Sequence, residues 1–204
     1  MSLLKRITFS RIETLAILLF SIIALLRGEI TVFYMMYLFW WQTFIHVIVN
    51  TSKVLFISKN AEFKPKLIHY IGGNMFLLFL YFIFIVLFFG FFSNLENRNL
   101  LTINMQVLFF QNWSFNINLV VFFISALFYN KTYLKDLPNH AFSPRNIILH
   151  VSIILGAFIH FFVIHQLPEL FDGENLWSSV LVILPFLTLR IFFDSYIYNS
   201  EKTK

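Results

Sequence analysis

The sequence predicts an all-α membrane protein: one polytopic bundle of about six transmembrane helices, with both termini in the cytoplasm. Hydrophobic residues make up 59% of the 204 residues and charged residues only 12%, about half the charged fraction of an average soluble domain. The apolar residues form continuous runs near the roughly 20 residues that cross a bilayer, not the alternating pattern of barrel strands. Basic residues gather in every second loop. No linker divides the chain, so residues 1–204 are expected to form a single integral membrane domain.

Six apolar segments are predicted along the chain: residues 12–26, 30–49, 67–92, 115–129, 146–164 and 176–198. The first leads straight into the second and has no small-residue cleavage pattern, which indicates a retained helix and not a signal peptide. Only Arg27-Gly28-Glu29 separate these two segments, so they are predicted to form a tight helical hairpin. Before the fourth segment, the apolar run 107–110 predicts a short interfacial helix.

Charge predicts the orientation. Most of the 15 basic residues lie on one side of the segments, and these are Lys5, Arg6, Arg11, Lys53, Lys59, Lys64, Lys66, Lys131, Lys135, Arg145, Lys202 and Lys204. The loops on the other side are acidic instead, with Glu29, Glu96, Glu169, Asp172 and Glu174. Short loops rich in Lys and Arg stay in the cytoplasm. The sequence therefore predicts a multi-pass protein of the cell inner membrane, with the lipid bilayer as its principal partner.

Composition and motifs exclude several kinds of site. The chain has no cysteine, which excludes disulfides, thiolate catalysis and cysteine metal sites. Its net charge of +5 is carried by short loops beside apolar runs, so it gives no nucleic-acid signature. The sequence has no P-loop, nucleophile elbow, HExxH motif or paired-carboxylate site. We therefore assign no catalytic residue and no metal ligand, and an enzyme is the less favoured alternative.

Polar residues inside four of the segments fall at similar depth, on the predicted cytoplasmic side. In the second segment Gln42, His46 and Asn50 are spaced to share one helix face. Lys53 lies on the same face and is interpreted as a headgroup anchor, because long basic side chains extend to the membrane surface. Polar groups in a bundle avoid lipid and pair with one another. The sequence thus predicts a cytoplasmic-side polar cluster, with candidate members Gln42, His46, Asn50, His69, Arg145, His150, Arg190 and Asp194.

Each part of this cluster has a structural alternative. Arg145 lies where a headgroup anchor is expected, and Arg190 with Asp194 forms an i,i+4 pair that suits a structural ion pair. The amides of the second segment are of a kind that commonly hydrogen-bonds between membrane helices. Glycines such as Gly72 and Gly156 predict close helix packing and not a ligand contact.

The histidines leave a metal or haem protein as a further alternative. Imidazole is a frequent metal ligand, and haem in helix bundles is held by histidines on facing helices. His46, His69 and His150 fall at similar depth, but only the fifth segment supplies histidines at both depths that a two-haem protein needs. A neutral histidine hydrogen-bonded within the bundle is the simpler expectation, and the cofactor stays unassigned.

Three patches of the sequence resemble an uncharacterised family of small multi-pass bacterial membrane proteins, a domain of unknown function. The family's patterns there are aromatic-Trp-Glu, His-Tyr followed by glycine, and Pro-x-x-Arg-Ile-x-x-x-His-x-x-Ile-x-x-Gly followed by a Lys-x-x-x-Asp helix. The similar residues are Trp40-Trp41-Gln42 with Asn50 and Lys53, His69-Tyr70 with Gly72, and Pro144-Arg145 with His150, Ile153, Gly156, Arg190 and Asp194. The resemblance implies a polytopic bundle with a polar cytoplasmic cluster and no established activity. Because Gln42 stands in place of the acid, it implies no proton-handling role.

Three kinds of function stay open on the sequence. The first is an accessory or signalling membrane protein that binds a cytoplasmic protein through its basic loops. The second is a channel or transporter for small solutes or ions, working as a homo-oligomer because six helices enclose only a narrow pore. The third is a His-ligated metal or haem membrane enzyme. The chain is also loosely similar to small membrane proteins encoded beside RNA-targeting CRISPR effectors, in its size, its number of spans and its composition rich in Phe, Ile, Asn and Lys. This similarity adds a variant of the first function, a membrane accessory of a CRISPR defence system.

Overall fold

The computed structural model describes residues 3–57, 64–95, 97–128, 144–159, 184–189 and 191–192. Its helices are α1 (Leu3–Leu26), α2 (Val32–Ile57), α3 (Lys64–Phe84), α4 (Arg98–Leu108), α5 (Trp113–Phe128) and α6 (Pro144–Phe158). A π-helical stretch, Ile85–Phe91, and a 3-10 turn, Phe92–Asn94, continue α3. Residues 184–189 and 191–192 are helical as well. Every regular element in these ranges is therefore a helix, as the sequence predicts.

Within the part of the chain that the structure describes, three stretches are long and apolar enough to cross a membrane: Val32–Leu55, Leu67–Phe91 and Arg98–Phe128. The apolar helices Thr14–Leu26 and Asn146–Phe158 are shorter. Most of the sixth predicted segment lies outside the described residues. The helices thus match the apolar segments of the sequence, and their length and composition suggest a membrane protein.

α2 is the central helix of the bundle, with α3, α4, α5 and α6 packed against it. α3 and α6 run antiparallel to α2, as the contacts at Gly90 and Gly156 indicate, and α5 runs parallel to it. Every residue from 30 to 40 is buried. Tyr37 stacks on Phe33 and on Phe115 of α5, with ring centroids 5.2 and 5.4 Å apart. The first half of α2 is therefore enclosed in packed aromatic rings.

The surrounding helices carry apolar side chains on their exposed faces. Leu15 of α1, Phe79 of α3, Phe123 of α5 and Ile154 of α6 are each at least half exposed. A soluble bundle would place polar side chains there, whereas lipid tails accept apolar ones at no cost. This exterior suits a protein whose outer helices face lipid.

The α1–α2 connection is the predicted tight turn, although α1 then packs mainly along α5 and not along α2. The Gly28 N–H donates to the Leu25 carbonyl and the Glu29 N–H to the Ala24 carbonyl, both at 2.9 Å. These two bonds form a Schellman motif, which needs a left-handed residue after the helix. Gly28 supplies it with φ of 66°. The end of the bundle that contains this turn is called the hairpin end below.

The segment before α5 differs from the sequence expectation. A short interfacial helix was expected at 107–110, but α4 is an 11-residue helix that begins at Arg98 and ends at Leu108. Asn97 caps it by accepting a hydrogen bond from the Leu100 N–H at 3.1 Å, and Phe110 follows it with φ of 59°. The apolar stretch 98–128 is therefore two helices with a break between them. Whether α4 lies in the membrane interface stays a prediction.

α6 approaches α2 closely at a glycine. A Cβ added to Gly156 would lie 2.6 Å from the Met36 sulfur and 3.2 Å from Val32 Cγ1. A Cβ on Gly72 would meet nothing within 4 Å. The prediction of close helix packing is confirmed for Gly156 and is wrong for Gly72.

Candidate functional site

The Trp40 side chain fixes the register between α2 and α3. Its indole N–H donates to the Leu78 carbonyl at 2.7 Å, so these two residues lie at similar depth. The two helices are antiparallel, so a step of one turn from Trp40 toward the end of α2 corresponds to a step of one turn from Leu78 toward the start of α3. These steps reach Phe44 and Asn74, which therefore lie at the same depth. Asn74 is thus placed between the depths of the candidate residues on α2.

The contact at Gly156 fixes the register of α6 in the same way. Gly156 lies against Met36, and equal steps along the two antiparallel helices bring Asn146 level with His46. Asn146 Nδ2 donates to Asn74 Oδ1 at 3.0 Å. This bond agrees with both registers and joins the two helices that flank α2.

These residues form a buried polar layer, defined as Gln42, His46, Asn74 and Asn146. Their side chains are 2, 2, 1 and 4% exposed. Asn74 also donates to the Tyr70 carbonyl at 2.8 Å. All four side chains are amides or an imidazole, so the layer offers hydrogen-bond donors and acceptors without a carboxylate.

A second polar pair joins α3 and α6 nearer the bundle surface. The Tyr81 hydroxyl and His150 Nδ1 are 2.9 Å apart, and the two rings are tilted against each other. His150 is exposed and Tyr81 half-buried. When the hydroxyl donates to Nδ1, the proton of a neutral imidazole sits on Nε2. Tyr81 was not among the predicted residues.

Lys53 lies at the end of α5. Lys53 Nζ donates to the carbonyls of Ala126 and Leu127, at 2.6 and 2.7 Å. These carbonyls belong to the last turn of α5, where a cation is favoured by both hydrogen bonding and the helix dipole. The ammonium group of Lys53 therefore caps α5, while its interpretation as a headgroup anchor stays a prediction. Asn50, one turn before it, is half-buried.

The remaining candidates are only partly described. His69 is exposed on α3, next to the buried Tyr70 and so about 100° around the helix from the buried face. Arg145 lies in the first turn of α6, with its side chain outside the described set. Arg190 and Asp194 lie outside the described residues. The structure thus buries Gln42 and His46 at the depth of the Asn74–Asn146 bond, whereas His69 and His150 lie on exposed faces.

A second polar network lies at the hairpin end and was not predicted. The Thr31 hydroxyl accepts from the Tyr34 N–H at 3.0 Å, capping α2, and donates to Asn104 Oδ1 at 2.8 Å. Asn104 Nδ2 in turn donates to the carbonyls of Phe89 and Gly90, at 3.3 and 3.4 Å. A π-helical stretch disrupts the usual i→i−4 pairing, which frees its carbonyls for side chains. Asn104 therefore clamps α4 onto α2 and the end of α3.

The loop before α5 is tied to the same end. Asn112 Nδ2 donates to a Glu29 carboxylate oxygen at 3.0 Å, and Asn112 Oδ1 accepts from the Phe115 N–H, capping α5. The other Glu29 oxygen lies 3.0 Å from Arg27 Nε. Asparagine before the first turn of a helix is a sequence signal for such caps. The sequence pattern does not show that Asn112 also bonds to Glu29 in the α1–α2 turn, because that contact depends on the tertiary structure.

The two polar groups differ in their chemical capacity. At the hairpin end, the hydrogen bonds of Thr31, Asn104 and Asn112 hold backbone and loops together, which is a structural role. The polar layer joins side chain to side chain, with an imidazole buried at its depth. Within the described ranges, no group of three or more His, Asp or Glu residues is placed to hold a metal ion. Hydrogen bonding is what the layer offers a ligand.

Comparison with known proteins assigns the chain to a family. No curated protein and no solved structure matches it, and neither search supports the similarity to CRISPR-associated membrane proteins. The family described as a family of unknown function, DUF6498, matches residues 3–204. This match covers nearly all of the 204 residues, in line with the resemblance to an uncharacterised family. The chain is therefore a member of the DUF6498 family.

Proposed function

We propose that the chain is a multi-pass inner-membrane protein of about six helices with both termini in the cytoplasm, working as an accessory or signalling protein. The asymmetry of α2 carries this proposal. Its first turns are enclosed by an aromatic seal of rings such as Phe33, Tyr37 and Phe115, whereas Gln42 and His46 near its middle lie level with the Asn74–Asn146 bond. The buried polar groups at the hairpin end hold backbone and loops, while the polar layer joins side chains of two helices. This difference favours a protein that interacts with the compartment on the side of the polar layer.

The basic loops are the proposed contact with a cytoplasmic partner. Lys59, Lys64 and Lys66 lie in the connection from α2 to α3 and its first turn. A partner held there acts directly on the start of α3. The Asn74–Asn146 bond then links α3 to α6, so the polar layer is positioned to transmit the contact through the bundle.

Co-purification tests the partner. The triple variant Lys59→Gln/Lys64→Gln/Lys66→Gln should lose a soluble protein that the parent chain retains after mild detergent extraction. Arg98→Gln is the matched control, since Arg98 is exposed at the start of α4, on the proposed opposite side. A partner that survives the triple change, or is lost equally with the control, contradicts the proposal.

Single-cysteine labelling tests the topology. The chain has no native cysteine, so one introduced at Lys64 and another at Asp172 report their compartments without background. A membrane-impermeant maleimide added to intact cells should label the position at Asp172 and leave the one at Lys64 unlabelled. Labelling of both positions, or of neither, contradicts six spans with cytoplasmic termini.

A small-solute or ion pathway is the second candidate, favoured by the burial of His46 and Gln42 at the depth of the Asn74–Asn146 bond. The aromatic seal around the first half of α2 argues against it. Flux through liposomes should then fall with Asn74→Leu, and also with Arg190→Ala. Unchanged flux in both variants removes the pathway. An absorption spectrum of the purified protein separates the haem alternative, because bound haem gives a Soret band.

A further inference from the structure

The outer faces of α3 and α6 lie side by side on α2, and the strip of surface between them is called the α3–α6 groove below. Over the described residues both helices pack extensively against α2 and only weakly against each other. Two side-chain contacts cross the gap: the buried Asn74–Asn146 bond and the more exposed Tyr81–His150 pair. The groove therefore has a polar end, at these contacts.

The walls beyond that polar end are apolar. On α6, Ile154 and Phe158 follow His150 at intervals of four residues and are 57 and 54% exposed. On α3, Phe84 follows Tyr81 at an interval of three residues and is exposed as well. Residues three or four apart share a helix face. An exposed imidazole thus stands at one end of an apolar strip that runs toward the hairpin end.

Depth and charge indicate what fits this arrangement. His150 lies six residues after Pro144, the start of α6, which corresponds to about 9 Å along a helix. On the proposed topology this is the depth of lipid ester groups in the inner leaflet. α3 and α6 both begin at this end, and the sequence places Lys64, Lys66 and Arg145 in their first turns. Clusters of basic residues beside membrane helices attract anionic headgroups.

We infer that the α3–α6 groove binds an anionic glycerophospholipid of the inner leaflet. The His150 Nε2–H, oriented by the Tyr81 hydroxyl, donates to an ester carbonyl of the lipid. One acyl chain follows the strip along Ile154 and Phe158. The headgroup phosphate lies toward the basic first turns. This binding site goes beyond the proposed signalling role and does not require a protein partner.

Native mass spectrometry of the full chain tests the site, with phosphatidylglycerol and phosphatidylcholine as the probes. The parent protein should retain phosphatidylglycerol through detergent removal and should retain phosphatidylcholine less. Tyr81→Phe and His150→Leu should each reduce retention about five-fold, the effect expected for one lost hydrogen bond. His150→Gln keeps a side-chain N–H and should recover part of the binding.

Thr102→Val is the control, because Thr102 is an exposed polar residue on α4, which does not flank the groove, and this variant should retain lipid as the parent does. Circular dichroism checks that each variant is folded; Tyr81→Phe removes a single oxygen, so it keeps the test valid if His150→Leu misfolds. Equal retention of both lipids by the parent, or full retention by Tyr81→Phe and His150→Leu, overturns the inference. A protein dimer that His150→Leu abolishes, without lipid adducts, also overturns it and assigns the groove to a second copy.

Discussion

Adding one methyl group at Gly156 should loosen the contact between α6 and α2. The new Cβ would lie 2.6 Å from Met36 Sδ, 3.1 Å from Met36 Cε and 3.2 Å from Val32 Cγ1. Methionine is flexible, but Met36 is fully buried and Val32 is β-branched and stiff at χ1. Because Met36 and Val32 are both buried, Gly156→Ala forces either the Met36 side chain or α6 itself to shift.

Comparison with a second glycine isolates the size of this effect. Overpacking of a well-packed core typically costs about 1–3 kcal/mol, while alanine gains up to about 1 kcal/mol over glycine in a helix interior. Gly72 shares the helical gain without the clash, because a Cβ there meets nothing within 4 Å. The difference in unfolding free energy between Gly156→Ala and Gly72→Ala should therefore equal the packing cost, about 1–3 kcal/mol.

Reversible unfolding in mixed detergent–SDS micelles, followed by circular dichroism, measures both variants. The double variant Met36→Ala/Gly156→Ala should lose less unfolding free energy than the two single variants lose together, because alanine at position 36 makes room for the new methyl group. Equal stability changes for Gly156→Ala and Gly72→Ala, or strict additivity with Met36→Ala, would refute the close contact of α6 with α2.

Three other changes test hydrogen bonds in the same unfolding assay. Asn104→Leu should cost about 1–3 kcal/mol, because the Gly90 carbonyl loses its side-chain donor and the buried Thr31 hydroxyl loses its acceptor, whereas the Phe89 carbonyl keeps Asn94. The change should also speed amide hydrogen exchange in α4. Asn74→Leu and Asn146→Leu should show a coupling of about 0.6 kcal/mol in a double-mutant cycle, the average for hydrogen bonds between membrane helices. Lys53→Met should cost about 1 kcal/mol through loss of the α5 cap, and Lys53→Arg should keep most of it.

Each of these has an outcome that contradicts it. Unchanged exchange in α4 after Asn104→Leu would separate that helix from the hairpin-end network. Strict additivity of the two asparagine changes would mean that their hydrogen bond contributes nothing. A loss with Lys53→Arg as large as with Lys53→Met would exclude a charge-based cap.

Element type and the hairpin turn were predictable because they are local properties of the sequence. Continuous apolar runs predict helices, and Arg27-Gly28-Glu29 is too short for any connection except a tight turn. Most of α4 was not predicted because it has no continuous apolar run. One of its faces carries the exposed residues Arg98, Thr102 and Gln106, which interrupt its apolar residues along the sequence. A hydrophobic-moment search over that stretch would have found it.

Helical periodicity also separates the candidate residues that the structure buries from those it exposes. The buried face of α3 includes Tyr70, Asn74 and Leu78 at intervals of four, and His69 lies one residue off this face. On α6 the buried face includes Asn146 and Leu149, and His150 lies one residue off it. Grouping polar residues by depth alone placed these histidines inside. Pairing partners such as Asn74 with Asn146 required the tertiary arrangement, which no single-helix pattern contains.

The central place of α2 has a consequence for how the protein is made. α2 is translated second, and the helices that enclose it, α3, α5 and α6, emerge from the ribosome only afterwards. On the proposed membrane topology, Gln42 and His46 would until then meet lipid tails, which solvate amides and imidazoles poorly. We therefore expect nascent α2 to stay in contact with the insertion machinery or a membrane chaperone until α6 is synthesised. Truncation after α5 should leave a chain that the membrane quality-control proteases remove.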